Sequence, residues 1–224
     1  MPTLQKAITF FLMLYVINVA AQTPKTVNGC RIMEGTLCAD MNLNNVDLRG
    51  EDLSHSQFSG SNLQGAHLEK ANFTGANLTR ADLRNAMLRE ARLVDSDLRS
   101  VNLTRADLQV VMAENANMQN MTGEHANFRN ATVNGADFAG AEMAKVNFKN
   151  ARAARANFRA ADLTGASFQG ADLSGANFTN ANLRQADLRK AKLDQANFYG
   201  ADMAGCLGCP KERGKSLQES TEGH

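Results

Sequence analysis

The sequence of 224 residues has no tryptophan, two tyrosines, three prolines and four cysteines. It has almost no net charge either. Twenty-four Lys and Arg face 23 Asp and Glu, which removes the compositional argument for a general binder of nucleic acids or acidic substrates. There is no glycine-rich phosphate loop, no nucleophile elbow and no paired-cysteine ribbon, so nothing points to nucleotide, acyl-transfer or zinc chemistry. The histidines, His55, His67, His125 and His224, are scattered and assemble no cluster. The longest apolar run, Ala7 to Val19, is broken by Thr9 and Asn18 and falls short of the about 20 residues a bilayer span needs.

That run has a different anatomy. Residues 1–21, MPTLQKAITFFLMLYVINVAA, combine a basic start at Lys6, an apolar centre, and small or short residues at Val19 and Ala21. This is the layout of a secretory signal peptide cleaved after Ala21, and it predicts export to a periplasm or the cell exterior. Without Lys6, the remaining chain holds 23 basic and 23 acidic residues and is formally neutral.

What the sequence has in abundance is a period of five. From Leu43 to Met203, every fifth residue is Leu (17), Phe (9), Met (3) or Val (1), with Ala113, Gly123 and Ala153 as the exceptions among 33 positions. Two residues earlier the position is Ala in 23 of 33 pentads, and between the two stands Asn or Asp in 22. The unit is Ala-(Asp/Asn)-(Leu/Phe)-x-x, as in ANFTGANLTRADL at 71–83. On a helix each pentad would advance about 140° past a full turn, smearing the large residues around the axis. On a straight strand an odd period alternates faces. Within one pentad, however, Ala and Leu/Phe are two apart and share a face of extended chain. If the trailing pair, rich in Gly, Asn, Ser, Thr and Arg, turns a corner, every pentad presents the same side inward. Four corners close a square coil, and stacked coils pair at about 4.8 Å. One column of that square (58, 78, 98, 118, 138, 158, 178, 198) is Phe at five of eight positions and is expected to stack as a core ladder. The pattern loosens over 111–128, where methionines are expected to fill gaps in a coil that stays in register, the alternative being a hinge or a bent contact surface.

This motif resembles the pentapeptide-repeat family over about 41–205. The resemblance implies an all-β fold, a right-handed quadrilateral β-helix of about eight coils and on the order of 40 Å long. The segments 22–40 and 206–224 then fall where a solenoid needs caps over its raw ends, and the polar tail KERGKSLQESTEGH reads as disordered. In such a rod Cys30 and Cys38 lie at one end, Cys206 and Cys209 at the other. Disulfides bridge Cα atoms only about 4.4–6.8 Å apart, so within one chain the pairs are Cys30–Cys38 and Cys206–Cys209. Chain-to-chain bridges, free thiols, and redox or metal chemistry at the CLGC sequence stay open alternatives.

A square coil filled with Leu and Phe leaves no room for a substrate, so neither catalysis nor a cofactor is expected. The expected role is an exported structural or interaction rod that binds a protein, a surface polymer or another copy, with homodimerisation through a solenoid end involving Met203 and Leu207. The candidate interaction stripe is Arg49, Arg89, Arg129, Lys149 and Arg189, recurring at multiples of 20 residues and interrupted by Glu69, Gln109 and Gln169. The family also implies an alternative, a DNA-mimicking protein that binds topoisomerase (gyrase) and protects it from quinolones. Mimicry needs an acidic rod, whereas residues 41–205 hold 18 basic and 18 acidic residues. Six Asn-x-Ser/Thr sequons, at Asn72, Asn77, Asn102, Asn120, Asn130 and Asn177, mostly follow from the phases of the repeat.

Overall fold

The structure, a computed structural model, describes residues 24–211. The signal peptide expected at 1–21 and the tail 212–224 lie outside the described residues. The rest of the chain is accounted for by one backbone rule, visible in the pentad 62–66. The Asn62 N–H donates to Met41 O one coil back (2.9 Å), while those of Leu63 and Gly65 donate forward to Asp82 O (2.7 Å) and Arg84 O (2.9 Å). The Ala66 N–H closes a turn on Leu63 O (3.0 Å), and the Gln64 N–H donates to the Asn62 side-chain Oδ1 (3.1 Å). All five donors are thus satisfied. The last bond explains why the middle position is Asn or Asp: their short side chain reaches the corner N–H two residues on.

Each corner is a turn whose third residue has positive φ, the type II geometry. Every position at a multiple of five from 35 to 205 takes this conformation; twelve are Gly and the rest carry side chains. Between corners, parallel bridges join residues 20 apart without a slip, from Leu37↔Gln57 to Asp187↔Leu207. The bridges fall into four ladders, one per side of the coil, and make a β-helix. The first begins inside the segment read as the N-terminal cap.

The core runs along the bore, with Ala and Leu/Phe both pointing inward at essentially zero exposure. Phe138, Phe158, Phe178 and Phe198 stack at 5.0, 4.9 and 5.0 Å. The expected column is therefore continuous only in its C-terminal part. A second ladder on the opposite side, Phe128, Phe148 and Phe168, stacks at 4.8 and 5.2 Å. Rings of the two ladders meet edge to face at 5.6 to 6.0 Å. Over 111–128 the register holds. Met118 and Met121 are fully buried, and the Met121 methyl occupies the space over Gly123, where a Cβ would meet its Cε at 2.4 Å. Large and small have exchanged places.

The N-terminal end is closed by a hairpin of β1 (Thr26–Val27) and β2 (Cys30–Arg31), paired antiparallel around Asn28-Gly29. Both turn residues have positive φ, 50° and 84°, as a type I′ turn requires. Asn28 Nδ2 and Lys25 Nζ donate to carbonyls of Asn42 and Asp47 in the first coil. Cys30 is bonded to Cys38 (Cα–Cα 5.4 Å), and Cys206 to Cys209 at the other end (5.9 Å).

Candidate functional site

With the bore full, chemistry is confined to the outer surface, where the middle and corner positions of each pentad are displayed. The middle positions form ladders of side chains. Asn72 Nδ2 donates to Asp52 Oδ1 (3.0 Å), Asn77 to Gln57 Oε1 (2.9 Å), Asn157 to Asp137 Oδ1 (2.9 Å) and Asn182 to Asp162 Oδ1 (3.1 Å). The hydroxyls of Ser54, Thr74, Thr79, Thr164, Ser174 and Thr179 donate to Oδ1 of the Asn or Asp two residues earlier, as Thr74 does to Asn72 (2.7 Å). In the sequons at Asn72, Asn77 and Asn177 both ends of the amide are therefore engaged.

Where Arg follows Asp two residues on, the guanidinium folds back as a fork. Arg49, Arg84, Arg99 and Arg189 each donate Nε and Nη2 to the carboxylates of Asp47, Asp82, Asp97 and Asp187 at 2.6 to 2.9 Å. These arginine hydrogen bonds hold all four carboxyls below their ordinary pKa and raise that of each guanidinium. Hydrogen bonds from Ser54 and Ser174 do the same for Asp52 and Asp172.

The stripe Arg49, Arg89, Arg129, Lys149 and Arg189 lies along one corner of the rod, all five exposed. The corner is not one band of free charge. Arg49 and Arg189 are forked to Asp, and Arg89 stands 4.0 Å from Asp107. Arg129 and Lys149 form no ion pair among the described residues. Sequence reasoning aligned the column correctly but could not see the forks, although the Asp-x-Arg spacing that makes them is written in the chain. It also passed over Asn28-Gly29 as a hairpin turn; the same Thr-Val-Asn-Gly at 132–135 forms a corner of the coil, so the dipeptide alone does not distinguish the two. The cysteines sit in the caps, away from any titratable cluster. Among the described residues, no group of three or more His, Cys, Asp or Glu could hold a metal ion.

The period, the coil and the ladders decide the family. A family model described as pentapeptide repeats matches residues 38–75, 76–109, 113–143, 141–180 and 171–207. The chain belongs to the pentapeptide-repeat family. Among solved structures of such repeats, it is similar to QnrB1, a plasmid-mediated fluoroquinolone resistance protein. In one trypsin-treated point variant of QnrB1, identity is 23%, coverage 76% of this chain and 87% of that one, and the TM-score 0.62. In a second trypsin-treated variant, identity is 18%, coverage 76% and 89%, and the TM-score 0.50. HetL, a pentapeptide repeat protein involved in heterocyst differentiation regulation from the cyanobacterium Nostoc sp., is 27% identical over 88% of this chain and 90% of its own, with a TM-score of 0.36. No curated protein matches the chain in sequence.

Proposed function

We propose that this pentapeptide-repeat chain is an exported, non-catalytic rod, a right-handed square coil of about eight turns, that works as a structural or interaction scaffold. The observation that supports it best is the filled bore. Leu, Phe and Ala line it at zero to a few per cent exposure, so an ordered outer surface is what the molecule has to offer. The caps fit export: four cysteines form two local disulfides, a pattern that persists in oxidising compartments. At the C-terminal end, the N–H groups of Leu193, Phe198 and Met203 have no partner among the described residues, and Tyr199 and Leu207 are exposed. A second copy stacked there would cover them.

The test is the intact mass, under non-reducing conditions, of the protein recovered from cell fractions. A chain beginning at Gln22 and lighter by the four hydrogens of two disulfides supports the reading; a full-length, reduced chain in the cytosol overturns it. The gyrase-binding alternative rests on the likeness to QnrB1, which at 23% identity extends to the fold. A rod that mimics DNA needs repeated negative charge, and a stretch here carries the opposite sign. Inhibition of gyrase supercoiling by the chain lacking residues 1–21 would favour that alternative.

A further inference from the structure

From Met143 to Ala161 the chain contains Lys145, Lys149, Arg152, Arg155 and Arg159 and no acidic residue. All five side chains are exposed. Lys145 stands 3.8 Å from Glu124; the other four form no ion pair among the described residues. Three of them cross a single side of the rod. Lys149 is at one corner, Arg152 in the ladder Thr132–Arg152–Asp172–Lys192, and Arg155 at the next corner. Arg129 and Lys190 extend the positive charge along the first corner.

Both corners are notched where a glycine leaves a side chain out. At Gly170 a groove of about 320 Å³ is lined by Lys149, Asn150, Gln169, Arg189 and Lys190. At Gly135 a second, of about 440 Å³, is lined by Glu114, Asn115, Asn134 and Arg155. Carboxylates are present but largely engaged: Asp172 faces Lys192 at 3.7 Å, and Asp187 accepts from Arg189 and Gln169. Glu114 lines the second groove, Asp95 one coil before it accepts from Asn115 (3.1 Å), Asp194 stands at the far end of that corner, and Asp52, Glu69 and Glu90 lie on this side in earlier coils.

We propose that this side binds an acidic polysaccharide, a sugar polymer bearing carboxylate or sulfate groups, with Lys149, Arg152 and Arg155 as its principal contacts. The proposal rests on the scaffold reading above and names its partner. The sign of the charge calls for an anion. A protein partner would need an apolar anchor, but of the exposed large apolar residues Met33, Leu37, Met87, Tyr199 and Leu207 lie off this patch, and Val110 stands on the first corner two coils before Asn150, away from Lys149, Arg152 and Arg155. Single-stranded nucleic acid would need aromatic rings to stack on, and this side has none. Amides of Asn115, Asn134, Asn150 and Gln169 stand among the cations; Asn115 and Gln169 each donate one N–H to a carboxylate and Asn134 accepts from the Ala154 N–H, which leaves each amide further hydrogen-bonding capacity for sugar hydroxyls.

The test titrates the purified full chain with labelled oligogalacturonate, a heparin oligosaccharide and a short DNA duplex, at low and physiological salt. Binding to at least one oligosaccharide that weakens with salt is expected. The triple variant K149Q/R152Q/R155Q should lose about tenfold or more in affinity, a difference of about 1.4 kcal/mol. The variant R84Q/R99Q/R184Q, with the same change in charge at forked or paired arginines, should lose less than about twofold. The first triple should keep the wild-type thermal midpoint; the second should lose a little stability with its ion pairs, so both are titrated well below their midpoints. Equal losses in the two triples, tighter binding to the duplex, or no oligosaccharide binding at low salt overturn the proposal. Such a failure together with an exported, disulfide-bonded mass would leave the scaffold standing. A cytosolic, reduced chain would remove the scaffold while the titration still reports on the patch.

Discussion

From Leu43 to Leu108 the large inward position is Leu in 12 of 14 pentads, whereas from Phe128 to Phe178 it is Phe in 6 of 11. The backbone rule is the same in both stretches, so the difference lies in how the bore is filled. Leu serves all four sides alike. Phe is too large for that: the rings occupy two opposite sides, stack coil on coil, and meet edge to face across the axis. On the intervening sides Val133 and Ala153 are small while Met143, Leu163 and Leu173 stay large, and Gly123, just before the stretch, leaves its space to Met121. The departure at Gly123, which looks like weakness along the sequence, is an exchange of volume with Met121 within one pentad. Because a solenoid's stability is close to a sum over neighbouring coils, the two stretches can be perturbed separately.

The largest expected effect is in the aromatic stretch. Phe138 stacks on Phe158 and meets Phe128 and Phe148 edge to face, so Phe138→Ala should cost about 3–5 kcal/mol. The readout is the denaturant or thermal midpoint, and an unchanged midpoint would show that this ring is not inside. Next is the exchange of large and small at the start of the stretch. Gly123→Leu should cost about 1–3 kcal/mol by overpacking against Met121. Adding Met121→Ala restores the ordinary pentad, so the double variant should be more stable than the sum of the singles by at least about 0.5 kcal/mol. Strict additivity would mean that the two positions do not share one space.

Much of this was legible beforehand. Leu43 through Met203 declare the inward phase at period five, and Asn or Asp at the middle position declares the turn. What the pentad hides is which columns lie opposite each other, a relation at ten residues within a coil of twenty. Hence the column of Phe138 was visible, while the facing ladder of Phe128, Phe148 and Phe168 emerged only in the folded coil. The basic patch was missed for a related reason. Aligning Arg49 with Arg189 down a corner selects residues by period and ignores that both are forked to Asp, while Lys149, Arg152 and Arg155 lie across the coil. A count of acids between 143 and 161 would have found them.

The boundary between the stretches holds a strained corner. Val110 takes φ +60°, the one β-branched residue among the described left-handed corners, with its side chain nearly half exposed. Val110→Asn keeps the N–H bond to Arg129 O and suits the left-handed region. It should stabilise the rod by about 1 kcal/mol, raising the denaturant midpoint without changing the slope. A midpoint that falls would mean that the valine makes a contact worth more than its strain.

The smallest effects are electrostatic and divide the rod once more. Arginine or serine hydrogen bonds lower the pKa of Asp47, Asp52, Asp82 and Asp97 in the Leu stretch, and of Asp172 and Asp187 towards the far end. A carboxyl lowered in the folded state stabilises the fold fully above its unfolded pKa, about 3.9 for Asp, and loses that contribution as pH falls through the lower folded value. Stability should therefore be flat from pH 7 to about 5 and decline below about 4. These groups are largely exposed and screened by solvent, so the contribution of each is small. Arg99→Gln should thus lower stability slightly at pH 7 and by less at pH 3, because protonated Asp97 no longer rewards its partner. Native-state hydrogen exchange locates the effect: acid should raise exchange in the coils of Asp47 to Asp97 before those of Phe128 to Phe168. Exchange rising equally in both stretches would show that the forks do not carry the acid response and that the rod opens as one unit.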